Sequence, residues 1–383
     1  MSLNNTWVEV SESALLNNLS GLKRLLVSGT SLMFVVKANG YGHGLTQVAD
    51  IAEQPGSPVD SYGVHLPEDG VSLRTRGITK DIYILGYANE SQLGDLVFHD
   101  LSPVVTNSAL IPILEKEASR QKKKIRITLK CETGTHRQGL LPEEIPEYAS
   151  LLRRSPSVIL EGLSTHFANI EDTSDHSYAK KQMSIFKDFI HGFQKAGFSL
   201  KINHIACSAA TVLFPETHYQ MVRTGISSYG YWSSRETALS FRSSSSDELI
   251  LKPALTWKTR IGQIKDVEAD AYIGYGCTYK TDHPTRLAIL PVGYYDGYDR
   301  RLSNSGYVLI RGKRAPVRGR VCMNMIIVDI THIPGCRLDD EAILLGSSGE
   351  ERITADDLAA LSGTINYEIL SRINPLIPRR IVS

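Results

Sequence analysis

Cysteine is scarce in this chain. There are five in 383 residues, an odd number, scattered at Cys131, Cys207, Cys277, Cys322 and Cys336 without metal-ligand spacing. That pattern excludes a disulfide framework. The histidines lack ligand spacing as well, so no metal site is expected. No apolar run approaches the roughly 20 residues that span a bilayer, so no membrane segment is expected. An excess of one charge is also missing. Lysine plus arginine number 42 against 41 acidic residues, a net charge of +1. Such balance argues against electrostatic capture of nucleic acid or of an anionic membrane. The run Lys122-Lys123-Lys124 reads as a solvated lead-in to a strand. Residues 1–10 lack the basic-then-apolar order of a secretion signal, and a reduced, cytoplasmic location is the expectation. No repeat of solenoid period is visible.

What is present is a globular composition, 42% hydrophobic and 22% charged, in a chain long enough for two domains. After Trp7-Val8-Glu9-Val10, the residues Leu15, Leu19, Leu22 and Leu26 form one helical stripe. Eight strand-length apolar runs follow: Leu32–Val36, Tyr62–Leu66, Ile82–Leu85, Pro103–Thr106, Ile125–Lys130, Glu161–Thr165, Ile202–Ala206 and Met221–Tyr229. Helix-forming stretches alternate with them, among them Leu45–Ala52, Ser108–Arg120, Ile145–Arg154 and Ala179–Ala196. Alternation of this kind predicts a parallel (β/α)8 barrel of the TIM type over residues 10–242. The serine run 243–246 reads as a linker or exposed loop. Beyond it strands crowd together, so residues 243–383, with residues 1–9, are expected to form a mainly β domain. Thr354 with Asp357 three residues on resembles a capping box, and Gly363 marks that helix's stop.

A barrel places its chemistry at the carboxyl ends of its strands. The first strand ends in Lys37-Ala38-Asn39-Gly40-Tyr41-Gly42-His43-Gly44. A lysine at the mouth of a covered strand is partly desolvated, which lowers its pKa and frees its amine as a nucleophile. On this segment alone the bland reading, a lysine snorkelling from a strand end, is the more common case. The other strand ends supply Lys130 and Arg137, then His166, then Ser208, then Arg223 with Gly225 and Ile226. Barrels often bind phosphate with the loops after strands seven and eight. Here those loops offer the Ser208 hydroxyl and the backbone N–H groups of Gly225 and Ile226, although Ser208 alone also reads as a helix cap. A phosphate pocket with a strand-end lysine suggests pyridoxal 5′-phosphate bound as a Schiff base.

The segment Val36–Gly44 closely resembles the cofactor-lysine signature of alanine racemases. The resemblance continues through Leu129-Lys130, Thr133-Gly134 with Arg137, Thr165-His166-Phe167-Ala168 and Met221–Gly225, and in the second half through Gly274-Tyr275-Gly276, Gly293–Tyr298, Gly319–Met323 and Ile365–Glu368. It implies interconversion of L- and D-alanine, supplying D-alanine for bacterial peptidoglycan, in a head-to-tail homodimer with shared active sites. Lys37 and, from the partner chain, Tyr275 are then the bases on opposite faces of the substrate. Tyr41, Ser208, Gly225, Ile226 and Tyr367 bind phosphate, and Arg223 faces the pyridine nitrogen. Arg137 approaches the cofactor's phenolic oxygen and the substrate carboxylate, and Lys130 as an N6-carboxylysine fixes Arg137. His166 supports Tyr275 near the ring, Met323 offers its backbone N–H to the carboxylate, and Tyr294 narrows the entrance with Tyr367. Departures from the usual pattern fall at Glu132, Thr135, Cys207, Thr224, Gly274 and Asn324, none of them a proposed base. The alternatives are a racemase of broader range, acting on serine for example, a non-catalytic binder of the cofactor, and a decarboxylase of related fold. The second half with Tyr275 argues against the binder, and Arg223 against the decarboxylase, where a glutamate is typical.

Two opposed bases follow from the reaction itself, because a single base returns its own proton mostly to the face it came from. A phenol, with an ordinary pKa of about 10, needs cationic neighbours to act near neutrality. Arginine holds its proton, so a pyridine nitrogen set against Arg223 stays unprotonated and the ring a weaker electron sink.

Overall fold

A computed structural model of the chain describes residues 5–172, 174–245 and 247–383. Residues 1–4 of the amino-terminal stretch and Ser246 of the serine run lie outside the described residues. The chain forms two compact units. One comprises Ala14–Ala38 and Ala49–Lys252, the other the stretch up to Ser13 with Asn39–Val48 and Pro253–Ser383.

The first strand of the chain, β1 (Thr6–Ser11), belongs to the second of these units. The first unit is built on seven parallel strands: β2 (Ser31–Val35), β3 (Ser61–Val64), β4 (Asp81–Ile84), β5 (Ser102–Val105), β6 (Ile125–Lys130), β7 (Val158–Ser164) and β8 (Met221–Thr224). They run in the order β7-β6-β5-β4-β3-β2-β8. Leu32, Met33, Phe34 and Val35 are all buried, as expected of a strand covered on both faces.

The seventh run, Ile202–Ala206, is not a regular strand, yet it fills the gap between β7 and β8. His204 N–H donates to Leu163 O (3.0 Å), Thr165 N–H to His204 O (3.3 Å), and Arg223 N–H to Ala206 O (3.0 Å). The ladder is irregular because a side chain replaces the backbone in it. Leu163 N–H donates to Asn203 Oδ1 (3.0 Å), and Asn203 N–H to Gln220 Oε1 (3.0 Å). Gly162 permits the approach, since a Cβ there would lie 1.7 Å from the Ile202 carbonyl oxygen. The barrel therefore closes with eight segments.

The helices fall near their expected places, at Leu110–Arg120, Ile145–Arg153 and Ser177–Lys195. The serine run differs from its reading as a linker, because the helix Arg235–Ser244 takes in Ser243 and Ser244. Ser234 caps it by accepting from Thr237 N–H, and the hydroxyls of Ser243 and Ser244 fold back onto the Ser240 carbonyl.

The second unit is mainly β. Its strands after β1 are β9 (Leu255–Arg260), β10 (Gln263–Val267), β11 (Tyr272–Ile273), β12 (Tyr279–Lys280), β13 (Thr285–Leu290), β14 (Tyr307–Ile310), β15 (Lys313–Pro316), β16 (Ile326–Asp329), β17 (Glu341–Ser348), β18 (Glu351–Ile353) and β19 (Arg379–Val382). The main sheet runs β15-β14-β17-β9-β1-β19, with β18 on β17, beside a three-stranded β10-β13-β16 sheet and a β11-β12 hairpin. β1 joins the ends of the chain: it pairs antiparallel with β9 and parallel with β19, Val8 opposite Arg379. The helix Ala355–Ser362 is bounded as the sequence predicts. Thr354 Oγ1 accepts from Asp357 N–H at 3.0 Å, and Gly363 closes it with φ +64°. Among the described residues no helix is long and apolar enough to cross a membrane.

Candidate active site

Lys37 follows β2 directly, at the point where Val36 N–H still continues the ladder to Gly63 O (2.8 Å). The backbone then turns left-handed. Ala38, Asn39, Gly40 and Tyr41 have φ of +54°, +55°, +60° and +49°. A left-handed turn costs about 1–2 kcal/mol for each residue with a Cβ, so something must hold it. Within Asn39–Val48, Asn39 Oδ1 accepts from Leu45 N–H (2.9 Å) and Asn39 O from Gly44 N–H (2.8 Å). The buried His43 places Nδ1 3.1 Å from Gly40 O and 2.9 Å from Tyr41 O. Two carbonyl partners make Nδ1 the donor. Burial pushes the His43 pKa down to about 4, so the ring is neutral.

The barrel unit brings Lys37, Lys130, Arg137, His166 and Arg223 into one electrostatic group. Burial, then the charges of Arg137 and Arg223, lower the pKa of the Lys37 amine. Burial, then Arg223 and Arg137, take Lys130 down to about 7. Arg223 is buried and pushed down to about 10, chiefly by desolvation, and so stays charged at neutral pH. Its guanidinium donates to the carbonyls of Thr165 (2.8 Å), His204 (3.0 Å) and Ile205 (3.0 Å), and to Nδ1 of His204 (2.6 Å) and His166 (3.2 Å). Every acceptor is neutral. Burial and then the Arg223 charge hold both imidazoles well below their ordinary pKa.

The loop carrying Arg137 is organised by Glu132, whose carboxylate accepts from the N–H groups of Gly134 (2.5 Å) and Arg137 (3.2 Å). Burial raises the Glu132 pKa, and these backbone donors outweigh it and lower the value. Ser208 opens the helix Ser208–Leu213 as its first residue, and Cys207 is the cap. The buried Ser208 Oγ accepts from the N–H of Gly225 (3.0 Å) and of Ser227 (3.4 Å). Ser208 and the Gly225–Ser227 backbone, with Ile226 between, are therefore joined at the ends of the last two barrel segments.

The remaining expected site residues lie in the second unit. Tyr41 and Tyr367 face each other there, with ring centroids 6.1 Å apart. Tyr294 N–H donates to Cys322 O, and Tyr295 N–H to Met323 O, both at 3.0 Å, so backbone bonds join the Tyr294 and Met323 segments. Tyr275 sits in the turn Tyr275–Cys277 and is 73% exposed.

In the barrel site Arg137 and Arg223 act on both Lys37 and Lys130, and Glu132 acts on Lys130. Such a set fits an anionic ligand, and the Ser208–Gly225 wall fits a phosphate. Both features match pyridoxal phosphate, a phosphate and a phenolate on one ring.

Sequence reasoning missed His43, His204 and Gln182. His204 lies buried on the seventh segment, a signal within reach. Gln182 interrupts the buried stripe Ala179, Phe186, Phe189, Phe193 of its helix, where a polar residue is conspicuous.

Residues 10–233 match the family described as alanine racemase, N-terminal domain, and residues 254–381 the one described as alanine racemase, C-terminal domain. The chain is 38% identical over 377 residues to the alanine racemase of Leptospira interrogans, covering 98% of this chain and 96% of the relative. A solved alanine racemase of Clostridium difficile 630 is similar with a TM-score of 0.92 and 32% identity, covering 100% of this chain and 97% of that one. The alanine racemase of Bacillus anthracis with bound L-Ala-P has a TM-score of 0.92 and 31% identity, covering 100% and 96%.

Proposed function

The chain belongs to the alanine racemase family, and from that premise we propose that Lys37 and Tyr275 are the bases working on opposite faces of the substrate α-carbon. The protein is a pyridoxal-phosphate-dependent isomerase that interconverts L- and D-alanine. The observation that carries the residue assignment is the desolvated Lys37 amine, lowered in pKa by burial, Arg137 and Arg223.

When bound, pyridoxal phosphate withdraws electrons from the α-carbon and so acidifies its C–H bond. Lys37 would hold the cofactor, and its amine, kept from protonation by burial and two arginines, takes or returns a proton at Nζ on one face. Tyr275 takes or returns the other proton at its phenolic oxygen, with His166 and Arg137 supporting it. Tyr41, Ser208, Gly225, Ile226 and Tyr367 would bind the phosphate. Arg223 presents donors alone and keeps its protons, so a ring nitrogen set against it is left unprotonated. Arg137 binds the substrate carboxylate with the Met323 N–H, Lys130 as a carbamate steadies Arg137, and Tyr294 with Tyr367 leaves room for a methyl side chain.

We propose a homodimer in the cytoplasm, with Tyr275 completing the partner's site and the product feeding peptidoglycan synthesis. The exposure of Tyr275 supports a second copy as its cover. So does that of Tyr295 and Met323, which a backbone bond holds together and which are also more than half exposed.

Proton exchange of L- and D-alanine in deuterated water, followed by NMR on the loaded enzyme, tests the assignment. Tyr275→Phe is expected to stop exchange from one enantiomer before the other, and Lys37→Ala to abolish the visible absorbance of the bound cofactor. Equal slowing of both enantiomers in Tyr275→Phe removes Tyr275 from its role.

A further inference from the structure

Gln182 is a fully buried polar side chain on the helix Ser177–Lys195, an element that carries none of the residues assigned above. Burying an amide is costly unless its donors and acceptor are all used. Here they are. Its Oε1 accepts from the N–H of Ala168 (2.9 Å). Its Nε2 donates to the carbonyl of His166 (3.1 Å) and to Thr133 Oγ1 (3.2 Å). The backbone partners fix which end is oxygen and which nitrogen, since an N–H must meet the acceptor and a carbonyl the donor.

That orientation sets a direction for the bonds beyond. Thr133 Oγ1 accepts from the amide and donates its own proton to Thr165 Oγ1, 2.7 Å away, because Thr165 spends its single proton elsewhere. Thr165 Oγ1 in turn donates to the carbonyl of Cys131 (2.9 Å). The chain Gln182 → Thr133 → Thr165 → Cys131 has a single consistent polarity. It touches the two loops that carry the site. Cys131 follows Lys130 and Thr133 precedes Arg137 on one loop. Thr165, whose carbonyl takes an Arg223 donor, and His166 lie on the other. One turn earlier on the same helix, Tyr178 donates its hydroxyl to Gly134 O (2.8 Å). Residues four apart share a helix face, so one face grips the Cys131–Arg137 loop twice.

We infer that Gln182 is a positioning residue of the racemase, registering the Arg137 loop against the Thr165–Ala168 loop that carries His166. The inference rests on the function proposed above. Misplacing a binding group by about 1 Å is enough to cost roughly a hundredfold in rate. Gln182 does so through backbone and hydroxyl contacts, without approaching the reacting atoms.

The test is Gln182→Met, similar in length but unable to make the three bonds, studied as the loaded enzyme. Expected are kcat/KM for alanine lower by about 10–100-fold, mostly as raised KM, and an unchanged visible cofactor spectrum. Faster amide exchange confined to residues 131–137 and 165–168 should accompany them. Gln182→Glu, which keeps the acceptor for Ala168, should recover part of the loss. Should Gln182→Met not fold, Thr133→Val decides, since it breaks the same chain with little change of volume and should show the same exchange pattern. Unaltered exchange in both loops, or loss of cofactor absorbance in step with activity, overturns the inference. A wild-type protein that does not racemise alanine overturns the proposed function instead, and the exchange measurement still reads the hold of Gln182 on its loops.

Discussion

Arg223 and His204 share a hydrogen bond of 2.6 Å, from guanidinium Nη1 to imidazole Nδ1. A guanidinium has donors and no acceptor, so the histidine must accept there. His166 accepts from the same guanidinium through its own Nδ1. The arginine thus fixes the tautomer of two rings at once and requires both to be neutral. A chain of neutral acceptors is what lets a buried arginine keep its charge without a carboxylate to neutralise it.

This arrangement sets the sign of the response to acid. His166 and His204 have folded pKa values well below the ordinary 6.5, burial being the first cause and Arg223 the second. Below pH 6.5 the unfolded chain binds protons that the folded one refuses, so stability falls as pH drops. Urea melts from pH 7 to pH 4 should show a steadily falling midpoint. In His204→Asn, whose side-chain oxygen can accept in place of Nδ1 but does not titrate, the acid limb should be shallower. It will not be flat, because His43 and His166 remain. An acid limb as steep as that of wild type would show that His204 is not among the groups responsible.

Lys130 gives a prediction in the other direction. Burial, then Arg223 and Arg137, bring its amine to about 7. Only a neutral amine adds carbon dioxide, forming an N–C bond, losing one proton and leaving a carbamate anion. Above pH 7 Lys130 is largely neutral, and the product anion would sit near two arginines. Carbamate should therefore increase as pH rises through 7. With ¹³C-labelled bicarbonate, a carbamate carbon resonance should grow between pH 6 and 8 in wild type and be missing in Lys130→Met. A spectrum without it across that range leaves the lysine a plain amine.

Ser208 is the hinge of the proposed phosphate wall. Its Oγ takes the N–H groups of Gly225 and Ser227, and in Ser208→Ala those buried donors lose their acceptor. A hydrogen bond to a charged group is worth about 1.5–3 kcal/mol, roughly 10–100-fold in affinity. Titration of cofactor into cofactor-free Ser208→Ala should show a dissociation constant raised by about that factor. An unchanged constant would move the phosphate elsewhere.

How far the sequence carries depends on which force sets each element. β2 and the Thr354 cap are governed by local pattern, and both are legible from a few residues. The seventh barrel segment is only half legible. Its apolar run marks the place, but Asn203 and Gln220 replace ladder bonds with side-chain ones, and no periodicity announces that. The left-handed turn at Ala38–Tyr41 is not legible at all. Ala38 and Tyr41 have no preference for positive φ, and the local bonds of Asn39 and His43 that hold the turn follow no periodicity. Nor does sequence show why Asn39–Val48 belongs to the same compact unit as Pro253–Ser383, since that follows from contacts across more than 300 residues of chain.

Gly42 and Arg379 make one of those contacts. The Arg379 guanidinium donates to the carbonyls of Gly42 (3.1 Å), Ile373 (3.1 Å), Asn374 (2.7 Å) and Ile377 (2.5 Å). Burial lowers its pKa to about 10, so it remains a cation, balanced by carbonyl dipoles. Gly42 has φ +82°, and a Cβ there would lie 2.0 Å from the Leu370 carbonyl oxygen. Arg379→Met strands four part-buried carbonyls and should cost about 1–3 kcal/mol, the range for leaving a buried acceptor unsatisfied. Gly42→Ala adds a clash with backbone, which cannot move aside as a flexible side chain would, to left-handed strain of about 1–2 kcal/mol. Because both changes break the same seam, their effects should not add. A urea double-mutant cycle should give a coupling of at least about 1 kcal/mol, and cofactor affinity should fall in both variants because Tyr41 leaves its place against Tyr367. Additive effects with full cofactor affinity would mean that the carboxyl-terminal segment stabilises its own unit without shaping the turn beyond Lys37.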